Sequence, residues 1–384
     1  MNVSSANSRN RGFVASRVNK QKTGNIKISI NNEKNAMIIC FSILLLVLLF
    51  PSCKQSPDRI YNPKFQKIYK IEPDFHKINE IIRPVDMVVL DDYLVIQNDI
   101  LPGEDCLFVY DLETLEFLYS FVNYGNGPKE FLAPAMVQNN KGNCLTLLDQ
   151  ASMKLTKYRL TDETVEIANK DRIILDDNKP LQEVYYVNDS ILIFSTLDNE
   201  LKTYHIGNHQ IIDTYKFSSN LKQLMDKDYN QCFDQFHFAY NNNKVALGFN
   251  FFNTILMGEV GEDGSIGLDE TEYSVDSPLE RNLYDNRYFY MYTLLSDNYL
   301  FAQYVGYMFR DLQPFPLNMN KRKFDMLLEV YSLDKKALCC LDLQHDILRC
   351  KIDEKHNKIY TWNMLEDFDN LIIYDYSKIR FGED

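Results

Sequence analysis

The side chains able to do acid, base or metal chemistry are few and scattered. His205 and His209 flank Gly207-Asn208 and could face each other across a hairpin. No acidic third ligand stands beside them, and a zinc site needs three or four ligands. His237 sits in Phe236-His-Phe-Ala-Tyr240, the pattern of a buried strand, and reads as a core histidine. Asp353-Glu354 belongs to a turn and Asp226-Lys-Asp228 to a solvated connector. Gly261-Glu-Asp-Gly-Ser265 has too few carboxylates for a calcium loop and reads as a hairpin turn. The nucleophile-elbow, HExxH, P-loop and dinucleotide-binding patterns are absent. With 54 acidic residues, a pair of glycosidase carboxylates cannot be singled out. No metal and no cofactor is expected.

Cys53 is the residue with the clearest chemistry. Met37–Phe50 is an unbroken apolar run, followed by Pro51-Ser52-Cys53 and then the polar Lys54-Gln-Ser-Pro-Asp58. The run is shorter than the ~18 apolar residues of a membrane span and fits the core of a secretory signal. A cysteine after a small residue at that boundary resembles a bacterial lipobox, in which the thiol is acylated and becomes the first residue of the mature chain. Residues 1–52 are therefore expected to be a signal peptide with an extended or mis-annotated basic start, and 53–62 a lipid-anchored tether. A plain cleaved signal, an uncleaved anchor and a buried helix are the alternatives. Residues 1–36 carry seven bases and one acid, so cleavage moves the formal charge from −13 to −19. So acidic a chain repels nucleic acid, and no nucleic-acid partner is expected. A membrane partner would be held through several acyl chains.

Six cysteines remain: Cys106, Cys144, Cys232, Cys339, Cys340 and Cys350. Most sit in apolar strand patterns and read as small hydrophobes. Adjacent Cys339 and Cys340 should point to opposite sheet faces. One of them could bridge to Cys350 across a hairpin in an oxidising envelope.

These residues must be positioned by strands. Short alternating runs of Val, Ile, Leu, Tyr and Phe dominate, bounded by Asp/Asn turns, which is the all-β signature. One unit, strand, Asp/Asn turn, strand, recurs at Asp91-Asp92, Asn140–Asn143, Asn188-Asp189, Asn241–Asn243, Asp297-Asn298 and Glu354–Asn357. Asn and Asp suit such turns because they tolerate positive φ and bond their own backbone. Spacings of roughly 45–60 residues match four-stranded propeller blades. The expected fold over 63–384 is a six-bladed β-propeller of antiparallel blades. The last unit offers only three strands, so the N-terminal strand, read as Phe65–Ile71, is expected to complete that blade and close the ring. A two-sheet sandwich is the competing all-β arrangement.

Gly125-Asn-Gly-Pro-Lys-Glu-Phe131 follows the outer strand of the first blade. It resembles the G-x-G-P-x-E-F motif of TolB-like six-bladed propeller lipoproteins of Gram-negative bacteria. Asn298–Gly306, Leu328–Leu333 and Ile359–Trp362 are similar in layout, with Val305 where the family often has a small polar residue. The resemblance covers most of residues 60–380 and implies the fold and an outer-membrane or other envelope location more than an activity. Physically, Gly125 and Gly127 permit positive φ and Pro128 fixes the next φ. Glu130 can accept loop N–H groups and Phe131 can anchor a blade-to-blade connector. A ligand role for Glu130 is the alternative.

In a propeller, the loops entering the inner strands and those joining second to third strands share one face. Here those are 122–133, 269–287, 305–325 and 362–369. They contribute Glu130, Arg281, Arg287, Tyr307, Arg310, Phe315 and Trp362, groups able to receive a carboxylate, sugar or peptide. Arg310 could instead pair with a neighbouring Asp, and Trp362 could pack between blades. The reading is an envelope propeller that binds a protein, peptide or glycan. An enzyme, a lyase or hydrolase acting on a sugar or lactone, is the alternative. An enzyme should bring three or more titratable groups into contact at the funnel; a binding module should show aromatics and Arg without a poised acid–base pair.

Overall fold

The computed structural model describes residues 59–384, apart from 82, 100–103, 128–129, 140, 176–179, 219–220, 222–235, 272–282, 313–325, 346, 348, 364–366 and 383–384. Cys53 and the signal segment, Pro128, Cys232, Arg281 and Phe315 lie outside the described residues.

Two short strands come first, β1 (Ile68–Lys70) and β2 (Pro73–Lys77). Four antiparallel blades follow in chain order. They are β3–β6 (Pro84–Val89, Tyr93–Asn98, Asp105–Asp111, Phe117–Asn123) and β7–β10 (Pro134–Val137, Cys144–Asp149, Lys154–Leu160, Val165–Arg172). Next are β11–β14 (Leu181–Asn188, Ile191–Thr196, Leu201–His205, Gln210–Thr214) and β15–β18 (Phe236–Asn241, Lys244–Phe249, Ile255–Val260, Ile266–Asp269). Blade five is β19–β22 (Arg287–Leu295, Tyr299–Met308, Leu327–Ser332, Ala337–Asp342). Blade six is β23–β25 (Cys350–Asp353, Lys358–Asn363, Asp367–Asp375) with β2 as its outer strand.

The closing strand is thus N-terminal, as expected, but it is not Phe65–Ile71. Pro73–Lys77 pairs antiparallel with β25, Phe75 opposite Ile372. The strand expected to do this, reduced to Ile68–Lys70, instead adds in parallel to the outer edge of blade five, Tyr69 opposite Leu341. From the N-terminal side the chain therefore joins blade five before blade six.

Apolar side chains of successive blades form a closed ring of cores. Val95, Leu107 and Leu147 join blades one and two. Val137, Leu148 and Phe194 join two and three. Ile193, Phe238 and Leu247 join three and four. Ala246, Tyr290 and Leu300 join four and five. Phe301, Leu328 and Ile359 join five and six. Met87, Leu94 and Trp362 join six back to one. Alternation along each strand feeds both faces of each blade, which is why no blade is stable alone. Among the described cysteines all five are free thiols; Cys339 and Cys350 share the core of blades five and six.

The Asp/Asn turns that reveal the repeat also link blades. Asn143 Nδ2 donates to Asp92 Oδ2 at 2.6 Å. Asn241 and Asn242 Nδ2 donate to Asp297 Oδ1 at 3.0 and 2.8 Å. Asn298 Nδ2 donates to Glu354 Oε1 at 2.5 Å. At the opposite end, side chains on or just after second strands hold the chain at or before the next inner strand. Gln97 donates to Pro134 O, Gln150 to Leu181 O and Gln303 to Ile347 O, at 2.9, 2.6 and 2.8 Å.

Candidate functional site

The family-motif loop is a connector. Gly125 N donates to Phe131 O and Phe131 N to Asn123 O, both at 3.0 Å. Glu130 folds back and its Oε2 accepts Gly127 N at 2.6 Å. Phe131 is buried in the core of blades one and two, with Lys154 over its ring. The two glycines are needed for room, not for positive φ as expected. A Cβ on Gly125 would collide with the Glu130 carboxylate, and one on Gly127 would lie 2.8 Å from its Cδ. Neither is among the positive-φ residues.

The described residues of the expected ligand face are engaged within the fold. Arg310 pairs with Asp285 at 3.2 Å. Trp362 is 1 % exposed in the core of blades six and one. Arg287 donates to Gly306 O at 2.7 Å, the carbonyl that also accepts Ile60 N. Tyr307 lies under the Arg59 guanidinium. Arg287 and Tyr307 thus help seat an N-terminal strap on blade five. Tyr304 OH donates to Ile60 O at 3.0 Å, and Gly306, at φ 72°, has no room for a Cβ beside that carbonyl. The strap ends at Asn62, whose Nδ2 reaches Glu329 Oε2 at 3.3 Å. Glu329 is fully buried; Tyr331 and Tyr290 hydroxyls donate to the same oxygen at 2.6 and 3.2 Å. Its Oε1 has no hydrogen-bond partner among the described residues. Burial pushes this carboxyl up to about 7, and the three donors offset only part of that.

The groups that do converge lie on the propeller axis. Asp86 of blade one is 3.4 Å from Arg349 and 3.5 Å from Lys351 of blade six. Arg349 Nε donates to Tyr292 OH of blade five at 3.0 Å and its guanidinium covers that ring. Tyr292 packs on His237 of blade four, centroids 4.6 Å apart. His237 Nδ1 is 3.2 Å from Glu183 Oε1 of blade three, whose Oε2 accepts Phe238 N at 2.8 Å. Lys351 Nζ donates across the channel to Gln138 Oε1 of blade two at 3.0 Å. His237 is therefore not a core histidine but an axial one.

Gln138, Tyr185, Leu294 and Lys351 form a waist between two chambers. One, about 260 Å³, lies toward the N-terminal ends of the inner strands and is lined by Asp86, Glu183, Tyr292 and Arg349. The other, about 340 Å³, is lined by the Asp/Asn turns. Three titratable groups, Asp86, Arg349 and Lys351, are in contact, the pattern set out above for an enzyme. Burial lowers the Arg349 pKa, but Asp86 and Tyr292 outweigh it and hold it above the ordinary arginine value. Burial pushes the Tyr185 and Tyr292 hydroxyls up. These shifts keep Arg349 charged and the two tyrosine hydroxyls protonated, while the Glu183 oxygens face His237 Nδ1 and Phe238 N.

Sequence reasoning missed this ring. A signal exists: Asp86, Glu183, His237, Tyr292 and Arg349 each stand five residues ahead of Asp91, Asn188, Asn242, Asp297 and Glu354. No group of three metal-capable side chains occurs among the described residues.

A family model described as TolB-like 6-blade propeller-like matches residues 74–355. The chain belongs to this family. The match begins at β2 and ends in the last Asp/Asn turn, so this TolB-like chain carries the family pattern through blades one to five and into blade six as far as β23. No protein with a curated description matches it. Similar solved structures include a Bacteroides fragilis protein described as exported, at 13 % identity and TM-score 0.48, covering 82 % of this chain and 100 % of that one. Chaetomium thermophilum Raptor covers 80 % and 29 %, at 11 % identity and TM-score 0.47. BamB of Moraxella catarrhalis covers 77 % and 70 %, at 8 % identity and TM-score 0.34.

Proposed function

We propose that this TolB-like protein is a lipid-anchored envelope propeller that binds a protein, peptide or glycan, with the chamber at the N-terminal ends of the inner strands as the ligand mouth. The observation that carries the reading is the axial ring. It presents charge, amide and aromatic surface in a recess, yet its acids and bases are already satisfied by one another. Such a lining suits recognition through hydrogen bonds and stacking.

Two measurements test it. Purified residues 57–384, a compact unit by itself, should bind members of a peptide and glycan panel saturably. Tyr292→Ala should weaken that binding, and chromogenic sugars and lactones should not turn over. Turnover abolished by Glu183→Gln would establish the enzyme reading, which the Asp86–Arg349–Lys351 contact favours. For anchoring, Cys53→Ala should move the protein from the membrane to the soluble fraction of cells; continued membrane partition would sink the lipoprotein assignment. Among the described residues no helix is long and apolar enough to cross a membrane.

A further inference from the structure

The axial ring balances its charges in sum but not in place. Asp86, Glu183, Arg349 and Lys351 are the charged groups among the described residues lining its chamber of about 260 Å³. Asp86, Arg349 and Lys351 lie together where blades six and one meet. Glu183 stands on blade three, across the axis from blade six. Among the described residues its partners are His237 Nδ1 and Phe238 N, not a lysine or an arginine. Counting histidine as neutral, one wall carries a net positive charge and the wall facing it a net negative one.

Both walls also hold hydrogen-bonding groups left over. A guanidinium has five N–H donors in a fixed fork. Arg349 commits Nε to Tyr292 and Nη1 to Asp86. Its Nη2 has no partner among the described residues, and the side chain is 38 % exposed. Each Glu183 oxygen has one contact and lone-pair room for a second donor. Gln97 and Gln150 donate their amide N–H groups to Pro134 O and Leu181 O, which leaves both Oε1 atoms as acceptors without a donor among the described residues. Ala135, Met136 and Val184 add apolar wall to the same chamber.

This arrangement discriminates between ligands. A bare anion would meet Glu183, and a bare cation would meet Arg349 and Lys351, like against like. A neutral sugar answers neither charge. A molecule with a carboxylate and an ammonium a few bonds apart answers both, through the charge-assisted pairs that are the stronger kind of hydrogen bond. The chamber falls below the ~300–1,000 Å³ of sites for drug-sized ligands, so its occupant is small. Given that this chamber is the ligand mouth, as set out above, we propose that what enters it is a small zwitterion, an α-amino acid or a dipeptide, with its carboxylate at Arg349 Nη2 and its ammonium at Glu183.

Calorimetric titration of residues 57–384 tests this with free amino acids, dipeptides, their N-acetylated and C-amidated forms, and monosaccharides. At least one free zwitterion should bind, and either cap should weaken that binding about tenfold, the worth of one hydrogen bond to a charged partner. Binding by free amino acids, or by dipeptides alone, supports the proposal in either case and fixes the length. Glu183→Gln should bind the N-acetylated form as well as the free one, because the charge that reads the ammonium is gone. The capped ligands probe the parent chain itself, so the outcome does not depend on a variant folding. Caps tolerated without loss, or monosaccharides bound in preference, overturn the proposal. If Tyr292→Ala weakens that binding, the chamber remains a ligand mouth for something other than a zwitterion. No binding by any member of the panel overturns both readings.

Discussion

Glu329 gives the protein a stability that falls as pH rises. The carboxyl is fully buried on β21, and burial moves it from 4.5 to about 7. At 1.36 kcal/mol per pH unit, that displacement corresponds to about 3 kcal/mol. The folded state holds the proton more tightly than the unfolded chain. The contribution is therefore complete below about 4.5, declines between there and neutrality, and is gone above about 7. The oxygen left without a partner, Oε1, is where the proton would reside, since Oε2 already accepts from Tyr331, Tyr290 and Asn62. Glu329→Gln keeps the shape and removes the titration. Urea unfolding of residues 57–384 from pH 5 to pH 8 should cost the parent about 2.5 kcal/mol more than the variant. Parallel pH profiles would refute the reasoning. Limited proteolysis adds a local reading: cleavage between Arg59 and Asn62 should accelerate with pH in the parent and not in the variant, because Asn62 is the strap residue that touches the carboxylate.

Three further outcomes follow from other parts of the molecule. Gly125→Ala should cost about 1 kcal/mol in urea unfolding, the worth of the Gly127 N to Glu130 hydrogen bond it displaces, and Glu130→Ala should cost about the same with little added by combining the two. Asp86→Ala leaves Arg349 and Lys351 facing each other on the axis. It should cost about 2 kcal/mol, less than a fully buried pair because Arg349 retains solvent contact, with the loss growing at low salt. A chain starting at Glu72 keeps β2 and should stay folded though weakened, whereas one starting at Ile78 opens blade six and should aggregate, as size-exclusion chromatography would show.

The fold was legible because its signal is local and repeated. Asp/Asn turns recur at blade spacing, and several residues there do adopt positive φ, among them Asn242, Asn243, Asn357 and Gly142. Blade closure was legible only in kind. Pro73-Asp-Phe-His-Lys77 alternates charge and lacks β-branched residues, since an outer strand needs little beyond its ladder with β25. Ile68–Lys70 looks more like a strand, but its parallel partner lies some 270 residues away. The axial ring was hidden for a different reason. Asp86 is a single polar residue in an apolar run, Glu183 follows Gln182 and Arg349 alternates with Lys351, so none stands out in its own strand, and only the radial arrangement makes neighbours of blades one, three and six. The motif glycines were the right residues for the wrong reason, because the crowding comes from a side chain five and three positions ahead.

The order in which the N-terminal strands attach has a mechanical consequence. A pull on the N-terminus first loads the Ile60–Gly306 and Asn62–Glu329 contacts, then β1 against β22, where Cys340 N bonds Lys67 O and Ile71 N bonds Asp342 O. Only after these give way does force reach β2, the strand that closes the ring. Blade five therefore acts as a strain relief, so that tension on the chain before β1 can strip an accessory strand without unzipping the propeller.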